Sequence, residues 1–373
     1  MNMTHGDLDC MNRALQLAEL GMYTTTPNPR VGCVIVAENG DRVGDGYHLR
    51  AGQGHAEVNA LAMAGLKARG ATVYVTLEPC NHQGRTGPCS QALIDAGVAE
   101  VVYGMQDPNP LVAGQGLQRL RDAGITVRGP LLEDQAKNLN PGFIKRMRTG
   151  RPYMRCKLAM SLDGRTAMAS GESQWITGSH AREDVQKLRA RSCSIITGAG
   201  TVLADNPALT VRSPALGEHP RQPLRVVVDS QLRTPIDATI LHDSTHTVFA
   251  CAQDVKQHGK AAAWPLRQHN TTQVDLPALI ETLGNKQHNE VLIEAGPTLA
   301  GAFLQAGLVD EIVVYMAGKL MGSTGKPLFE LPISQMSQNI ALNITQIQPV
   351  GADWRIVAIP HNTLDPLNPP LSE

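Results

Sequence analysis

Residues 55–97, HAEVNALAMAGLKARGATVYVTLEPCNHQGRTGPCSQALIDAG, decide the fold. Val58, Leu61, Ala62, Gly65 and Leu66 recur at i, i+3, i+4, i+7 and i+8, which predicts a helix over His55–Ala68 with that stripe inward. Val73–Leu77 is a short β-branched, apolar run and reads as a buried strand. Cys89–Ala96 returns to helical spacing and stops at Gly97, a residue suited to the left-handed position after a helix. Helix, strand and helix in this order form one unit of an α/β layer fold. Outward from it the alternation continues. Leu8–Leu20 reads as an amphipathic helix and Val31–Ala37 as a strand. On the other side Val101–Tyr103 and Ile125–Arg128 read as strands around a helix at Gly116–Asp122.

The basic run KRMRTGRP (Lys145–Pro152) lacks apolar periodicity and separates this half from a fresh strand pattern. The boundary is set near 148, giving domains 1–147 and 148–373, in keeping with a 373-residue chain. In the second half, strands are expected at Met154–Met160, Ser194–Thr197, Arg225–Val228, Thr247–Cys251, Glu290–Glu294 and Glu311–Met316. Helices are expected at Ser179–Ala190, Leu276–Leu283 and Thr298–Gln305, so this half is α/β as well.

Composition narrows the function. With 33 Lys+Arg against 34 Asp+Glu the net charge is −1, which disfavours broad binding to nucleic acid or an anionic membrane. Aromatics at 3% disfavour a base-stacking platform. No apolar run spans a bilayer and the polar start lacks a signal-peptide pattern, so a cytoplasmic enzyme is expected. Seven cysteines, an odd number, are not read as a disulfide framework.

The chemistry concentrates in His55-Ala-Glu57, Leu77-Glu-Pro-Cys80 and Cys89. One imidazole and two thiolates make a tetrahedral zinc set with one position open to water, whose pKa the metal lowers to about 7. Glu57, not a ligand, is the candidate proton carrier. Positions i and i+2 lie about 200° apart on a helix, so His55 and Glu57 cannot converge from mid-helix but can at its start, where His55 is able to be non-helical. Cys89 falls in the first helical turn, where amide donors favour a thiolate. The pattern follows the H-x-E…P-C-x-x-C deaminase signature, with eight residues between the cysteines instead of two. In that insertion His82, Arg85 and Thr86 supply a cation and donors suited to phosphate or ribose.

Pro27-Asn-Pro-Arg-Val-Gly32, His55-Ala-Glu57, Leu77-Glu-Pro-Cys80, Gly84-Arg-Thr86…Cys89 and Asp107-Pro-Asn109 resemble the deaminase half of the bifunctional riboflavin-biosynthesis deaminase/reductases. The resemblance runs on into the second half. It implies a cytidine-deaminase-like three-layer domain followed by a dihydrofolate-reductase-like domain. It also implies hydrolytic deamination of a diaminopyrimidine carrying a phosphoribosylamino group. Glu57 would take the proton of a zinc-activated water and deliver it to the ring nitrogen and the departing ammonia. Asn28, His48, His82, Arg85, Asp107 and Asn109 would line the substrate site.

Three clusters mark the second half: Lys157-Leu-Ala-Met-Ser161-Leu-Asp163, Thr197-Gly-Ala-Gly-Thr201 through Asp205, and Glu294-Ala-Gly-Pro-Thr298-Leu-Ala-Gly301. The last reads as strand, glycine turn and helix start, an arrangement that binds anions. No dinucleotide fingerprint occurs; Gly114-Gln-Gly116-Leu-Gln-Arg119 has Arg in place of the third glycine and follows a loop. Together the clusters resemble the family's reductase half. That implies NADPH as hydride donor and reduction of the ribosyl group to a ribityl chain. Ala159, Trp175, Thr201, Asp205, Gly296, Pro297, Thr298, Leu299, Ala300, Gly301 and Ala302 would contact NADPH. Lys157, Ser173, Arg189, Leu209, Arg212 and Glu294 would contact substrate, with Arg189 and Arg212 on its phosphate. Lys157 and Asp205 are further expected to orient groups or handle protons.

The expected partners are small phosphorylated pyrimidines, with no nucleic acid or membrane, and the chain is expected to be a homo-oligomer. Two alternatives compete. One is a nucleic-acid or free-base zinc deaminase with an accessory α/β domain; acting on nucleic acid would need a basic, aromatic-rich surface, which the composition lacks. A structural zinc module gives Glu57 no role.

Overall fold

A computed structural model describes residues 3–81, 87–110, 112–217, 220–242 and 246–361. The chain divides into two compact units, Met1–Thr149 and Gly150–Glu373.

The first unit runs α1 (His5–Glu19), β1 (Gly32–Val36), β2 (Arg42–Tyr47), α2 (Ala56–Ala64), β3 (Thr72–Leu77), α3 (Cys89–Ala96), β4 (Glu100–Met105), α4 (Gln115–Asp122), β5 (Thr126–Arg128), α5 (Glu133–Leu139) and α6 (Pro141–Thr149). Its sheet has the order β2-β1-β3-β4-β5. β1 is antiparallel to both neighbours, and β3, β4 and β5 are parallel. A Cβ on Gly32 would strike α1, 1.9 Å from the Ala14 carbonyl oxygen. Gly46, which pairs with Cys33, faces α2 instead. Successive strand residues point to opposite faces, so α1 and α2 cover the two sides of the sheet.

The stripe expected for α2 is not the buried one. Leu66 is 97% exposed, and Ala62 and Gly65 are exposed with it. The helix instead buries Ala56, Glu57, Ala60 and Ala64. The cause is close approach. A Cβ on Gly44 would stand 2.4 Å from the Ala60 oxygen, and one on Gly46 2.3 Å from the Ala56 oxygen. Only an alanine face lies that flush on β2, so side-chain size, not hydrophobicity, sets the contact. The basic stretch, expected to lack helical periodicity, is helical over its first five residues, which close α6; Ile144 of that helix is fully buried.

α1 is fastened by charge. Thr4 caps it through a reciprocal capping box with Asp7. Asp7, 3% exposed, also accepts from Tyr74 Oη at 2.7 Å and from both Arg128 terminal nitrogens at 3.0 and 3.1 Å. Arg128 holds its carboxyl well below the ordinary range, against the opposing effect of burial. A carboxyl depressed in the folded state stabilises above the unfolded value of about 3.9 and loses that contribution as pH falls. Asp7→Asn should therefore cost the first unit about 1–3 kcal/mol at neutral pH. The difference should narrow as pH drops below about 4. Urea titrations at pH 7 and pH 3 giving one constant difference would refute this account.

The second unit contains β6 (Tyr153–Ser161), β7 (Arg165–Ala167), α7 (Ser179–Arg191), β8 (Ser194–Gly198), α8 (Ala199–Asp205), β9 (Leu224–Val228), β10 (Thr247–Cys251), β11 (Gln257–His258) and β12 (Ala261–Pro265). It continues with α9 (Leu276–Asn285), β13 (Glu290–Ile293), α10 (Pro297–Gln305), β14 (Glu311–Ala317), β15 (Lys326–Pro327), β16 (Leu342–Val350) and β17 (Asp353–Pro360). The main sheet has the order β11-β12-β10-β9-β8-β13-β6-β14-β17-β16. β12 through β14 in that order are parallel; β11, β17 and β16 are antiparallel additions. Val291 and Ile293 join Leu279 and Leu283 of α9 and Phe303 of α10 in one core. Leu292, between them, joins Val185 and Leu188 of α7 in the other. Helices thus cover both faces, as the apolar runs of the strands require. Among the described residues no helix is long and apolar enough to cross a membrane.

Candidate active sites

β3 ends at Leu77 and delivers Cys80 beyond its carboxyl end; α3 opens with Cys89; α2 opens just after His55. His55 is the residue before the helix, with extended φ −72° and ψ 169°, so it escapes the 200° separation and turns back toward the sulfurs. Its Nδ1 lies 3.6 Å from Cys80 Sγ and 3.3 Å from Cys89 Sγ. Tetrahedral zinc sets nitrogen–sulfur separations of about 3.5 Å, which the two distances bracket, and the three donor atoms all lie within 4.8 Å of one another, so the set suits the ion. Cys80 Sγ accepts the Cys89 amide at 3.4 Å. Hydrogen bonding from Cys89 lowers the Cys80 thiol to about 4, against burial. That thiolate, together with burial, pushes Cys89 up.

Glu57, 3% exposed, stands in the first turn of α2, two residues after His55. Burial first, then the Cys80 thiolate, raises its carboxyl to about 7. His48 is buried with its ring edge-on to His55, centroids 5.1 Å apart. Its Nδ1 bonds the Gly54 carbonyl at 3.1 Å and its Nε2 meets Asn28 Nδ2 at 3.1 Å. Burial lowers its pKa, which keeps the ring neutral. Asn28 and His48 are thus joined beside the metal ligands. Asp107 and Asn109 share one turn, the Asn109 amide donating to Asp107 Oδ1 at 2.8 Å. His82 and Arg85 lie outside the described residues.

Glu78 received no role from the sequence, yet it is buried and its carboxylate binds four backbone amides around the Asp107 loop. The available signal was an acid between Leu77 and Pro79 at the end of a buried strand.

In the second unit β8 and β13 are neighbours, and α8 and α10 start from their carboxyl ends. Gly296 precedes α10 without a side-chain cap, and Pro297 holds its first position. The amides of Thr298 and Leu299, in the first turn, lack intrahelical partners by geometry and can donate to an anion. Thr201 Oγ accepts the Gly296 amide at 3.2 Å, which brings those two residues together. Ser173 Oγ donates to Asp205 Oδ1 at 3.1 Å. Trp175 is exposed, with the Arg182 guanidinium 4.6 Å over its ring. Ala159 and Ala302 are half-buried, the first on β6 opposite Tyr315.

Some expected contacts are displaced. Ala300 is fully buried in the core, and a Cβ on Gly301 would stand 2.2 Å from the Glu330 oxygen. Helical periodicity turns both inward, so the open part of the turn is Gly296–Leu299. Leu209 has φ 50° and packs its side chain into the α7 core, leaving only its backbone for a ligand. Arg189, expected on phosphate, is buried and forks onto Glu294, Nε to Oε1 at 2.6 Å and Nη2 to Oε2 at 3.0 Å, with Nη1 on the Thr210 carbonyl. Arg212 has an exposed side chain. Burial lowers the Lys157 ammonium, with Glu294 opposing.

Residues 5–105 match the cytidine and deoxycytidylate deaminase zinc-binding region, and residues 152–356 match the RibD C-terminal domain. The riboflavin biosynthesis protein RibD of Escherichia coli (strain K12) is 54% identical over 354 residues, 92% of this chain and 96% of that protein. RibD of Haemophilus influenzae is 47% identical over 366 residues, 94% of this chain and 97% of that protein. Among solved structures, a form of Acinetobacter baumannii RibD superposes with TM-score 0.88 at 45% identity, over 95% of this chain and 99% of that one. A diaminohydroxyphosphoribosylaminopyrimidine deaminase/5-amino-6-(5-phosphoribosylamino)uracil reductase of Thermotoga maritima gives TM-score 0.86 at 30% identity, over 95% and 99% of the two chains.

Proposed function

This chain belongs to the RibD family of bifunctional riboflavin-biosynthesis enzymes, and from that membership we propose how its residues divide the work. It is a zinc-dependent deaminase and an NADPH-dependent reductase. The deaminase occupies 1–147 and the reductase 148–373. The first substrate is 2,5-diamino-6-(5-phosphoribosylamino)pyrimidin-4(3H)-one, the class of molecule named in the Thermotoga relative.

His55, Cys80 and Cys89 hold the zinc. When bound, it supplies the Lewis acidity that makes water nucleophilic near neutral pH. Glu57 would take one proton from that water and pass it to the ring nitrogen, then take the second from the newly formed hydroxyl and pass it to the amino group, which leaves as ammonia. His48 fixes Asn28 against the pyrimidine, Asp107 and Asn109 hold its other side, and His82 and Arg85 take the ribose phosphate. In the reductase, Gly296–Leu299, Thr201, Asp205, Trp175 and Ala159 hold NADPH, which supplies the hydride that converts the ribosyl group into a ribityl chain. Lys157, Ser173, Arg212 and the Arg189–Glu294 pair position the substrate. The single observation carrying this reading is the convergence of three metal donors, with a buried carboxyl, Glu57, two residues from one of them.

A cytoplasmic location and self-association belong to the same reading. None of the seven cysteines is joined to another by a disulfide, in keeping with a reducing compartment. The edge strand β16 carries no charge and exposes Leu342, Ile344 and Ile347, a surface that pairs with its own copy.

The test uses the purified chain. One zinc per chain, ammonia release from the phosphoribosylaminopyrimidine, and NADPH oxidation on the deaminated product are expected. Ammonia released only from RNA or free bases would replace this reading with the alternative deaminase. A monomer in sedimentation would withdraw self-association.

A further inference from the structure

Glu78 lies one residue beyond β3 and two before Cys80, and is 4% exposed. Its Oε2 accepts the amides of Asp107 at 3.1 Å and Gly114 at 2.9 Å. Its Oε1 accepts those of Gly116 at 2.9 Å and Leu117 at 3.4 Å. Its own amide donates to the Met105 carbonyl at 2.9 Å, the last residue of β4. One carboxylate therefore gathers both feet of the connection between β4 and α4. The fit is close: a Cβ on Gly116 would stand 2.0 Å from the Pro79 oxygen.

Among the described residues no cation pairs with this carboxylate. A buried charge is costly unless its oxygens are met by donors, and an apolar residue would fill a strand end at less cost. Four backbone amides meet the charge here. What the acid gains for the protein is thus the placement of the loop. The Asp107 side chain turns that loop by accepting the Asn109 amide, so both residues depend on the anchored foot.

We infer that Glu78 is a positioning residue for deamination: it fixes Asp107 and Asn109 relative to the metal ligand Cys80, and so sets the affinity of the first site for its pyrimidine. The inference rests on the reading above, in which Asp107 and Asn109 touch substrate. It assigns Glu78 no contact with the reacting atoms and no part in holding zinc.

The test is Glu78→Gln in the full chain, with Glu78→Asp beside it. Glutamine keeps the volume but turns an amide group toward two of the four donors. Expected for Glu78→Gln is a rise in KM for the pyrimidine of about tenfold or more with kcat within about threefold. Zinc content and the reductase constants should match the parent chain. The amides of Asp107, Gly114, Gly116 and Leu117 should exchange with deuterium faster, while that of Cys89 should not. Aspartate keeps the charge on a shorter arm, so its KM should fall between parent and glutamine. An unchanged KM overturns the inference, as does unchanged exchange at the four amides. Loss of zinc with a matching fall in kcat also overturns it, because Glu78 would then serve the metal frame. Asp107→Ala and Asn109→Ala separate the two layers: if they too leave KM unchanged, it is the substrate-facing reading of the loop that fails.

Discussion

Exchanging Cys89 for serine should strip the metal and end deamination, while reduction of supplied deaminated substrate continues at the parent rate. Cys89 is fully buried in the first turn of α3, 3.3 Å from His55 Nδ1. A neutral hydroxyl there is a poor replacement for a thiolate toward zinc, and only three protein ligands are present to begin with. Zinc sites in small domains are held by about 10–16 kcal/mol, so loss of one ligand removes a large share. The reductase is spared because each unit has its own sheet and core. Metal analysis, ammonia release and NADPH oxidation on one preparation decide the matter. Retained zinc with retained deamination would refute the metal assignment. Loss of both activities in a chain that still shows folded secondary structure would refute the two-site account.

Glu57→Gln should leave zinc and fold intact and lower deamination by about 10²–10⁴-fold, the usual contribution of a positioned proton carrier. The substitution preserves volume in a site where Glu57 is 3% exposed, so packing changes little. What it removes is the ability to accept a proton and give it up again. A glutamine cannot relay between water, ring nitrogen and leaving group. Activity within a few fold of the parent, with full zinc, would show that the proton travels by another route. Reduction serves again as the internal control.

The cluster of His55, Cys80 and Cys89 could be read from the sequence because its chemistry needs fixed residue types; the 200° rule left room for a non-helical His55, although the expected helix included it and the observed one begins at Ala56. The layer class followed from alternating apolar periods. What the sequence hid has specific causes. The inward stripe of α2 was misread because three alanines look like filler beside Val58 and Leu61, until Gly44 and Gly46 bring β2 within touching distance. β2 itself, RVGDGY, has neither apolar alternation nor a β-branched run. α6 was hidden by its charges, since Ile144 alone of its large side chains is fully buried. In the reductase, the Gly296–Ala302 run reads as a single motif, but a helix turns every residue by about 100°, so Ala300 and Gly301 face the core. Pairing is also invisible in one dimension: Arg189 looked available for phosphate until its partner 105 positions away, Glu294, stood beside it.

The missing side chain at position 46 has a consequence for the metal that no donor atom reveals. A methyl group there would act as a shim under the opening of α2, pressing 2.3 Å from the Ala56 oxygen and 2.4 Å from the Ala60 nitrogen. Ala56 stands between His55 and Glu57, so the imidazole and the acid would be lifted together while both sulfurs stayed behind. Clearance between two layers is in this sense a component of ion affinity. Gly46→Ala should release zinc faster to a chelator although carbon 46 touches none of it, and an unaltered release rate would show that the gap is closed by other means.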